Sequence, residues 1–332
     1  MTNVNQYGWK ALVGSAVGYA MDGFDLLILG FMLSAISADL NLTPAQSGSL
    51  VTWTLIGAVV GGIVFGALSD RYGRVRVLTW TIVLFAVFTG LCAIAQGYWD
   101  LLIYRTIAGI GLGGEFGIGM ALAIEAWPAK HRAKAASYVA LGWQVGVLAA
   151  ALLTPVLLPH IGWRGMFVVG IFPAFVAWYL RTRLHEPEIF SRKQTALSTQ
   201  KTSKLESFKL LVKDKATTKV SLGVVVLTSV QNFGYYGIMI WMPNFLSKQL
   251  GFSLTKSGLW TAVTVCGMMA GIWIFGRLAD RIGRKPSFLL FQLGAVISII
   301  TYSQLTDPTA MLVAGAFLGM FVNGMMGGYG AL

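Results

Sequence analysis

Gly66-Ala-Leu-Ser-Asp-Arg-Tyr-Gly-Arg-Val-Arg76 directly follows a long apolar run, and the similar stretch Gly276-Arg-Leu-Ala-Asp-Arg-Ile-Gly-Arg-Lys-Pro286 follows another apolar run 210 positions later. Around these stretches, residues 47–76 and 257–286 are identical at 12 of 30 positions without a gap. Both copies keep the same order of apolar run and charged loop, which is typical of parallel repeats separated by an even number of membrane crossings. The sequence therefore predicts an internally duplicated membrane protein.

The composition supports a membrane location. Apolar residues make up 56% of the chain and charged residues 11%, whereas soluble domains carry about 25% charged residues. A hydrocarbon core of about 30 Å requires about 20 apolar residues per helix. Runs near this length lie at 11–36, 47–68, 77–95, 101–124, 135–158, 165–184, 220–245, 257–279, 287–305 and 308–332. We therefore predict an all-α polytopic membrane protein with ten spans, of which the first is an uncleaved helix.

The positions of the basic residues predict the orientation of these spans. If every second loop lies on one side of the membrane, that side collects 21 of the 25 Lys and Arg residues. The positive-inside rule makes it the cytoplasmic side, so the N-terminus is expected in the cytoplasm and the chain in the cytoplasmic (inner) membrane. The same distribution favours the lipid bilayer over nucleic acid as the partner of the net charge of +12.

The longest polar segment divides the chain into two halves. Residues 1–184 form the predicted N-terminal six-helix half, 185–219 a cytoplasmic linker and 220–332 the C-terminal half. By the repeat, Leu332 corresponds to Leu122 near the end of the fourth run, so counterparts of the fifth and sixth runs are missing. We expect a twelve-helix design represented by ten helices, and both a functional chain and a fragment remain open.

The paired Gly-x-Leu-x-Asp-Arg-x-Gly-Arg loops resemble the signature of the major facilitator superfamily, which occurs in each half between its second and third helices. The resemblance implies two parallel-repeat six-helix halves, the second here lacking its last two helices, and transport by alternating access. It also implies that loop residues help to hold a conformation closed on the cytoplasmic side. The alternative is that the loop arginines only keep the loops in the cytoplasm. The implied gate residues are Asp70, Arg71, Arg74, Asp280, Arg281 and Arg284.

Four ionisable residues lie well inside the predicted spans: Asp22, Asp25, Arg105 and Glu115. Charge inside a membrane is costly, so such residues are candidates for function. With a rise of about 1.5 Å per residue, Arg105 reaches a depth similar to that of Asp25, and an ion pair between them is geometrically plausible. The three acids compete as the site of proton coupling. The alternatives are a fixed structural Asp25–Arg105 pair and a Glu115 that bonds a neighbouring helix.

Two motifs narrow the resemblance. Asp22-Gly-Phe-Asp25 resembles the first helix of aromatic acid:proton symporters and sialate transporters, and Arg105-x-x-x-Gly109-x-Gly111 resembles the fourth helix of proton-coupled members. The resemblance implies uptake of a small organic anion such as an aromatic acid or sialate. An arginine such as Arg105 holds a carboxylate through two parallel hydrogen bonds, and a carboxyl side chain with a raised pKa carries the proton.

Aromatic and amide residues near the midplane are the predicted determinants of specificity. Taken singly, each aromatic residue is as well explained by anchoring a helix at the interface. The candidates are Trp53, Trp143, Gln144, Gln231, Asn232, Tyr235, Tyr236 and Asn323.

Enzyme and pump motifs find little support in the sequence. It has no phosphate-binding Gly-Lys-Ser/Thr loop, and its three histidines lie in separate loops. We expect no enzyme activity, no metal and no cofactor, with the proton gradient as energy source, and a monomeric chain. The favoured function is proton-coupled symport of an organic anion. The alternatives are efflux of a metabolite or drug by proton exchange, and a transport-inactive truncated transporter or membrane sensor.

Overall fold

Helices make up the regular structure of the part of the chain that the structure describes. The computed structural model describes residues 6–128, 132–182 and 213–326. Its elements are α1 (Gln6–Asp39), α2 (Pro44–Tyr72), α3 (Arg74–Cys92), α4 (Tyr98–Ala126), α5 (Arg132–Thr182), α6 (Lys215–Leu250), α7 (Leu254–Ile282), α8 (Arg284–Gln304) and α9 (Pro308–Gly324). The candidate membrane spans lie in α1 to α8, and α9 is a shorter apolar helix of 17 residues. The chain is an all-α, multi-pass membrane protein.

The helices extend past several of the apolar runs because polar residues cap their ends. The Thr43 hydroxyl accepts a hydrogen bond from the backbone N–H of Gln46 at the start of α2, and the backbone N–H of Thr43 donates one to the side-chain oxygen of Gln46. Ser253 and Asp307 cap α7 and α9 through their side chains. Such caps satisfy backbone donors at helix ends, so the helix continues through polar sequence that hydropathy leaves out. Most of the predicted linker, and residues 327–332 of the last predicted span, lie outside the described residues.

The predicted fifth and sixth spans form one segment, α5, that is interrupted at Gly162. Gly162 has φ 65° and ψ 177°, a conformation that ends a helix and suits glycine. The part before it, residues 132–161, runs along α1 and is called α5a. The part after it, residues 163–182, runs back along α3 and is called α5b. Trp163, at the turn, donates a hydrogen bond to Asp39 at the end of α1.

The sequence repeat is also a repeat of helix contacts. A Cβ atom on Gly57 would collide with the Thr106 carbonyl oxygen, and one on Gly267 with that of Ala316, which lies 210 positions after Thr106. The crossing of α2 with α4 and that of α7 with α9 are therefore built alike, with glycines that let two backbones approach closely. Two further glycine contacts repeat after 210 positions. The packing of Gly61 on Ile110 recurs as Gly271 on Met320. The packing of Gly109 on Thr54 recurs as Gly319 on Thr264.

The repeated loop glycine has a conformational reason. Gly73 has φ 103° and ψ 148°, and Gly283 has φ 90° and ψ 162°. This region of backbone space is open essentially to glycine alone. Each of the two ends one helix and begins the next, and donates its N–H to the carbonyl four residues earlier, Ser69 or Ala279.

A polar cluster marks the membrane side opposite these loops. The Asp39 carboxylate accepts hydrogen bonds from Trp163 and from Arg164, and Arg164 also donates to the carbonyl of Ala95, just after α3. Since α3 begins beside Gly73, this cluster lies across the membrane from that loop. We call its side the far side, and the side of Gly73 and Gly283 the loop side.

Helices α1–α5 and α6–α9 meet towards the far side. Gly30 on α1 packs on Ile240 of α6, where a Cβ would lie 3.1 Å from the Ile240 carbonyl oxygen. Phe31 packs with Ala151 of α5a and Ala262 of α7. A Cβ on Gly258, near the start of α7, would lie 2.5 Å from the Ala151 oxygen. These contacts hold the two sets of helices together beyond the midplane.

Candidate substrate and proton site

A buried ion pair joins α1 to α4 near the middle of the membrane. The Arg105 guanidinium donates two parallel hydrogen bonds to Asp25, with Nη1–Oδ1 at 3.1 Å and Nη2–Oδ2 at 2.7 Å. Both side chains have 0% exposure. Phe167 of α5b covers the guanidinium, with its ring centroid 5.6 Å away. The pair expected from depth is present, and its charges compensate each other where isolated charge would be very unfavourable.

The other two buried acids lie in different surroundings. Asp22, 2% exposed, lies one turn before Asp25 and interacts electrostatically with Tyr19 of α1 and Tyr236 of α6. Glu115 of α4, also 2% exposed, faces α3, where the Thr81 hydroxyl lies 3.5 Å from its Oε2. Asp22 is thus linked electrostatically to α6, in the second set of helices. Within the described residues, no group of three or more His, Cys, Asp or Glu side chains is placed to hold a metal ion.

A cavity of about 40 Å³ lies between the two sets of helices. Asp22 does not line it, but interacts electrostatically with Tyr19 and Tyr236, which do. The Trp143 indole N–H donates to the Tyr235 hydroxyl at 2.5 Å, so α5a and α6 are bonded across its wall. Gln231 donates through Nε2 to Asn323 Oδ1 at 3.1 Å and joins α6 to α9. The residues that line the cavity are Tyr19, Ala140, Trp143, Gln144, Asn232, Tyr235, Tyr236, Asn323 and Met326.

Most of the predicted specificity residues are thus brought together. Gln144, Asn232, Tyr235, Tyr236 and Asn323 line the cavity with Trp143, and Gln231 reaches it through its bond to Asn323. Tyr19 was missed. Its signal was available, since it precedes Asp22 by three residues and therefore shares its helix face.

Trp53 does not join this cavity. It is 45% exposed on α2, because Thr54 and Gly57 turn their side of that helix towards α4. Arg105 is not among the lining residues either, although it was expected to meet the substrate. Both of its Nη groups are taken up by Asp25 inside the α1–α5 set.

The predicted gate residues lie on the loop side. Arg74 donates through Nε and Nη2 to Glu125 at 2.8 and 3.0 Å, and its guanidinium lies 3.6 Å from Asp70. Arg71 stacks on its neighbour Tyr72. Arg281 and Arg284 are exposed, and the side chain of Asp280 lies outside the described part of the structure. Glu125 was missed as a partner, although its place at the end of the fourth run puts it on the same side as Arg74.

The sequence of this chain is similar to those of a known family and of several known proteins. The sequence model described as Major Facilitator Superfamily matches residues 15–332. A putative metabolite transport protein of Haemophilus influenzae is 89% identical over 335 residues, which cover 100% of this chain and 82% of that protein. The cis,cis-muconate transport protein of Acinetobacter baylyi is 30% identical, with coverage of 96% and 78%. The sialic acid transporter NanX of Escherichia coli is also 30% identical, with coverage of 96% and 77%.

A solved structure shares the fold. The crystal structure of a D-xylose-proton symporter superposes with a TM-score of 0.76 at 22% identity, covering 97% of this chain and 81% of that one. The expected resemblances to metabolite and sialate transporters are thus confirmed among the relatives, and the two-repeat helical fold by the solved structure.

Proposed function

The chain belongs to the major facilitator superfamily, and on this premise we propose that it imports a small organic acid together with a proton. The family and the relatives are membrane transporters, not enzymes, and this chain is a multi-pass transporter of metabolites. Relatives named for muconate and sialic acid transport support an organic acid as its substrate. The proposed energy source is the proton gradient across the cytoplasmic (inner) membrane, with no cofactor.

One observation carries the proposal: a buried acid interacts electrostatically with two tyrosines that line the cavity between the two sets of helices. The acid is Asp22, and the tyrosines are Tyr19 and Tyr236. A carboxyl group at such a boundary takes up a proton most readily when a negative ligand arrives, because two carboxylates in a low dielectric repel each other. We assign proton uptake to Asp22. The Asp25–Arg105 pair lies one turn away and keeps the neighbouring charges compensated.

Alternating access is the mechanism that we propose for this transport. The two sets of helices touch near the far side through Gly30 and Gly258, whereas the loop-side bond of Arg74 to Glu125 lies within the α1–α5 set. We propose that residues 1–184 and 220–332 rock as two halves joined by 185–219, in a monomer with its N-terminus in the cytoplasm. Loop-side bonds of Arg74 then change partners as that side closes.

Uptake by proteoliposomes tests this function. Vesicles containing the chain are given labelled cis,cis-muconate, nicotinate, sialate or a neutral sugar, with the outside or the inside made acidic. We expect an acidic outside to drive uptake of one acid, and Asp22→Asn to remove this driven uptake. Asp307→Asn is the matched control, because asparagine also caps α9.

The two directions of the imposed gradient separate the alternatives. Uptake driven by an acidic inside identifies a proton exchanger, and overturns the importer. Lack of driven uptake of every acid in both directions indicates a chain that is inactive in transport. Driven uptake that survives in Asp22→Asn moves the proton site to Asp25 or Glu115.

A further inference from the structure

A second cavity lies on the outer surface of the α1–α5 set, between α3 and α5b. Its volume is about 260 Å³, and the described residues that line it are all aliphatic or aromatic. Ile82 of α3 and Ala174 of α5b form its floor, since each is only 1% exposed. Val87 and Phe175 form exposed walls. The cavity is therefore an apolar groove that opens towards lipid, and it shares no lining residue with the cavity between the two sets of helices.

A helix contact closes one end of this groove. A Cβ atom on Gly90 of α3 would lie 3.0 Å from Cδ1 of Ile171 of α5b, so the two helices touch there. From this contact the groove extends towards the loop side, as far as Trp178 near the end of α5b. Trp178 is exposed, and tryptophan at the end of a membrane helix commonly lies at the level of the lipid headgroups. The groove thus runs from the membrane interior towards the loop-side surface.

A cation lies at the loop-side end of the same face of α3. Arg76, Val83 and Val87 follow one another at intervals of seven and four residues, so they share one face of the helix. All three side chains are exposed. With a rise of about 1.5 Å per residue, Arg76 lies about 16 Å along α3 from Val87, which is about half of a hydrocarbon core of about 30 Å. The groove and the cation together therefore have the length of one lipid leaflet.

This combination of length and charge fits a phospholipid better than a helix of another protein. A transmembrane helix would cover the whole apolar thickness and would bring apolar side chains to Arg76. A phospholipid instead brings its phosphate to the depth of an arginine near the membrane surface, and its acyl chain continues along the apolar groove. The guanidinium and the phosphate form charge-assisted hydrogen bonds. A lipid with a net negative charge gains the most from this contact.

We propose that the groove between α3 and α5b binds one acyl chain of an anionic phospholipid of the loop-side leaflet, with the phosphate of that lipid at Arg76. The site lies within the α1–α5 set and does not depend on the proposed transport. One basic residue near the membrane surface should favour an anionic lipid about fivefold over a zwitterionic lipid with the same chains.

The internal duplication shows that the site belongs to one half of the chain and supplies a control. At the positions that correspond to Arg76 and Ala86, 210 residues later, the chain has Pro286 and Val296. Helix α8 therefore lacks both the cation and the small residue, and the exposed Val296 is the matched position for a change in size. Lys219, exposed in α6 near its loop-side end, is the matched position for a change in charge.

Native mass spectrometry of the delipidated protein in detergent tests the proposal. The protein is titrated with dioleoyl phosphatidylglycerol or with dioleoyl phosphatidylcholine, and the fraction that retains one lipid gives the affinity. We expect phosphatidylglycerol to bind the wild type about fivefold more tightly, and Arg76→Gln to remove this preference. Ala86→Phe should weaken both lipids about tenfold, because its ring fills the groove. The controls Lys219→Gln and Val296→Phe should bind as the wild type does.

Several results would overturn the proposal. Equal affinities of the two lipids for the wild type would rule out recognition of the charge. Unchanged binding by Ala86→Phe would rule out the groove, and Val83→Trp at the exposed wall replaces this variant if it yields no monomer. Displacement of phosphatidylglycerol by soluble glycerol phosphate would indicate a site for the headgroup alone. A dimer that retains no lipid would place a second copy of the chain on this face.

Discussion

At the scale of single residues, the Asp25–Arg105 pair makes a sharp stability prediction. Removing one partner leaves an uncompensated charge at 0% exposure, and breaking a buried pair costs about 3–5 kcal/mol. Arg105→Gln should therefore destabilise the protein strongly, and adding Asp25→Asn should recover much of the loss, because the two amides can bond each other. Thermal unfolding in detergent measures this. A double variant no more stable than Arg105→Gln would show that the charges do not depend on each other.

The residue scale also shows what could be predicted from the sequence. Depth was predictable, because rise along a helix is constant, and this correctly brought Asp25 to Arg105. The face of each helix on which a residue lies, towards the protein core or towards lipid, was not predictable. In a soluble helix the apolar face marks the core, but in lipid both faces are apolar, so Trp53 was assigned to the cavity although it is exposed on α2. Glu125 was missed as partner of Arg74 because contacts across 51 positions leave no local pattern.

At the scale of the helix, the repeated glycines predict unequal tolerance of the same substitution. A Cβ on Gly57 would collide with the α4 backbone at Thr106, whereas one on Gly66 meets nothing within 4 Å. Gly57→Ala should force α2 and α4 apart, at about 1–3 kcal/mol for an overpacked contact, and Gly66→Ala should be nearly neutral. The yield of monomeric protein in fluorescence-detected gel filtration compares them. Equal losses in both variants would argue against the crossing described here.

The helices themselves were largely predictable, because a run of about 20 apolar residues is typical of a membrane-spanning helix. Each predicted span overlaps a helix, and the duplicated loop follows from Gly73 and Gly283, whose positive φ values leave little choice of residue. The ends were less predictable. Capping residues such as Thr43 allow helices to extend into polar sequence. Gly162 interrupts α5 although no long polar loop surrounds it in the sequence.

At the scale of the whole molecule, the duplication predicts two similar sets of helices but not how they are placed. The contacts of Gly30 with Ile240 and of Phe31 with Ala262 close the far side in this structure. Under the proposed alternating access, the chain also visits an arrangement in which this side opens, and two such states typically differ by a few kcal/mol. Sequence patterns report contacts averaged over the two states. The observed closure is therefore information that only the structure supplies.

This closure predicts the effect of a wedge. Gly258 of α7 lies so close to α5a that a Cβ would be 2.5 Å from the Ala151 oxygen and 2.6 Å from Pro155. Gly258→Trp should hold the far side open and slow uptake, because the return to the closed state is blocked. Spin labels on the exposed far-side positions His160 and Thr255, with Cys92 and Cys266 replaced by serine, report the separation. We expect a longer distance in Gly258→Trp and the original distance in the matched control Gly223→Trp, whose site is open. An unchanged distance in Gly258→Trp would mean that α5a and α7 do not form the far-side closure.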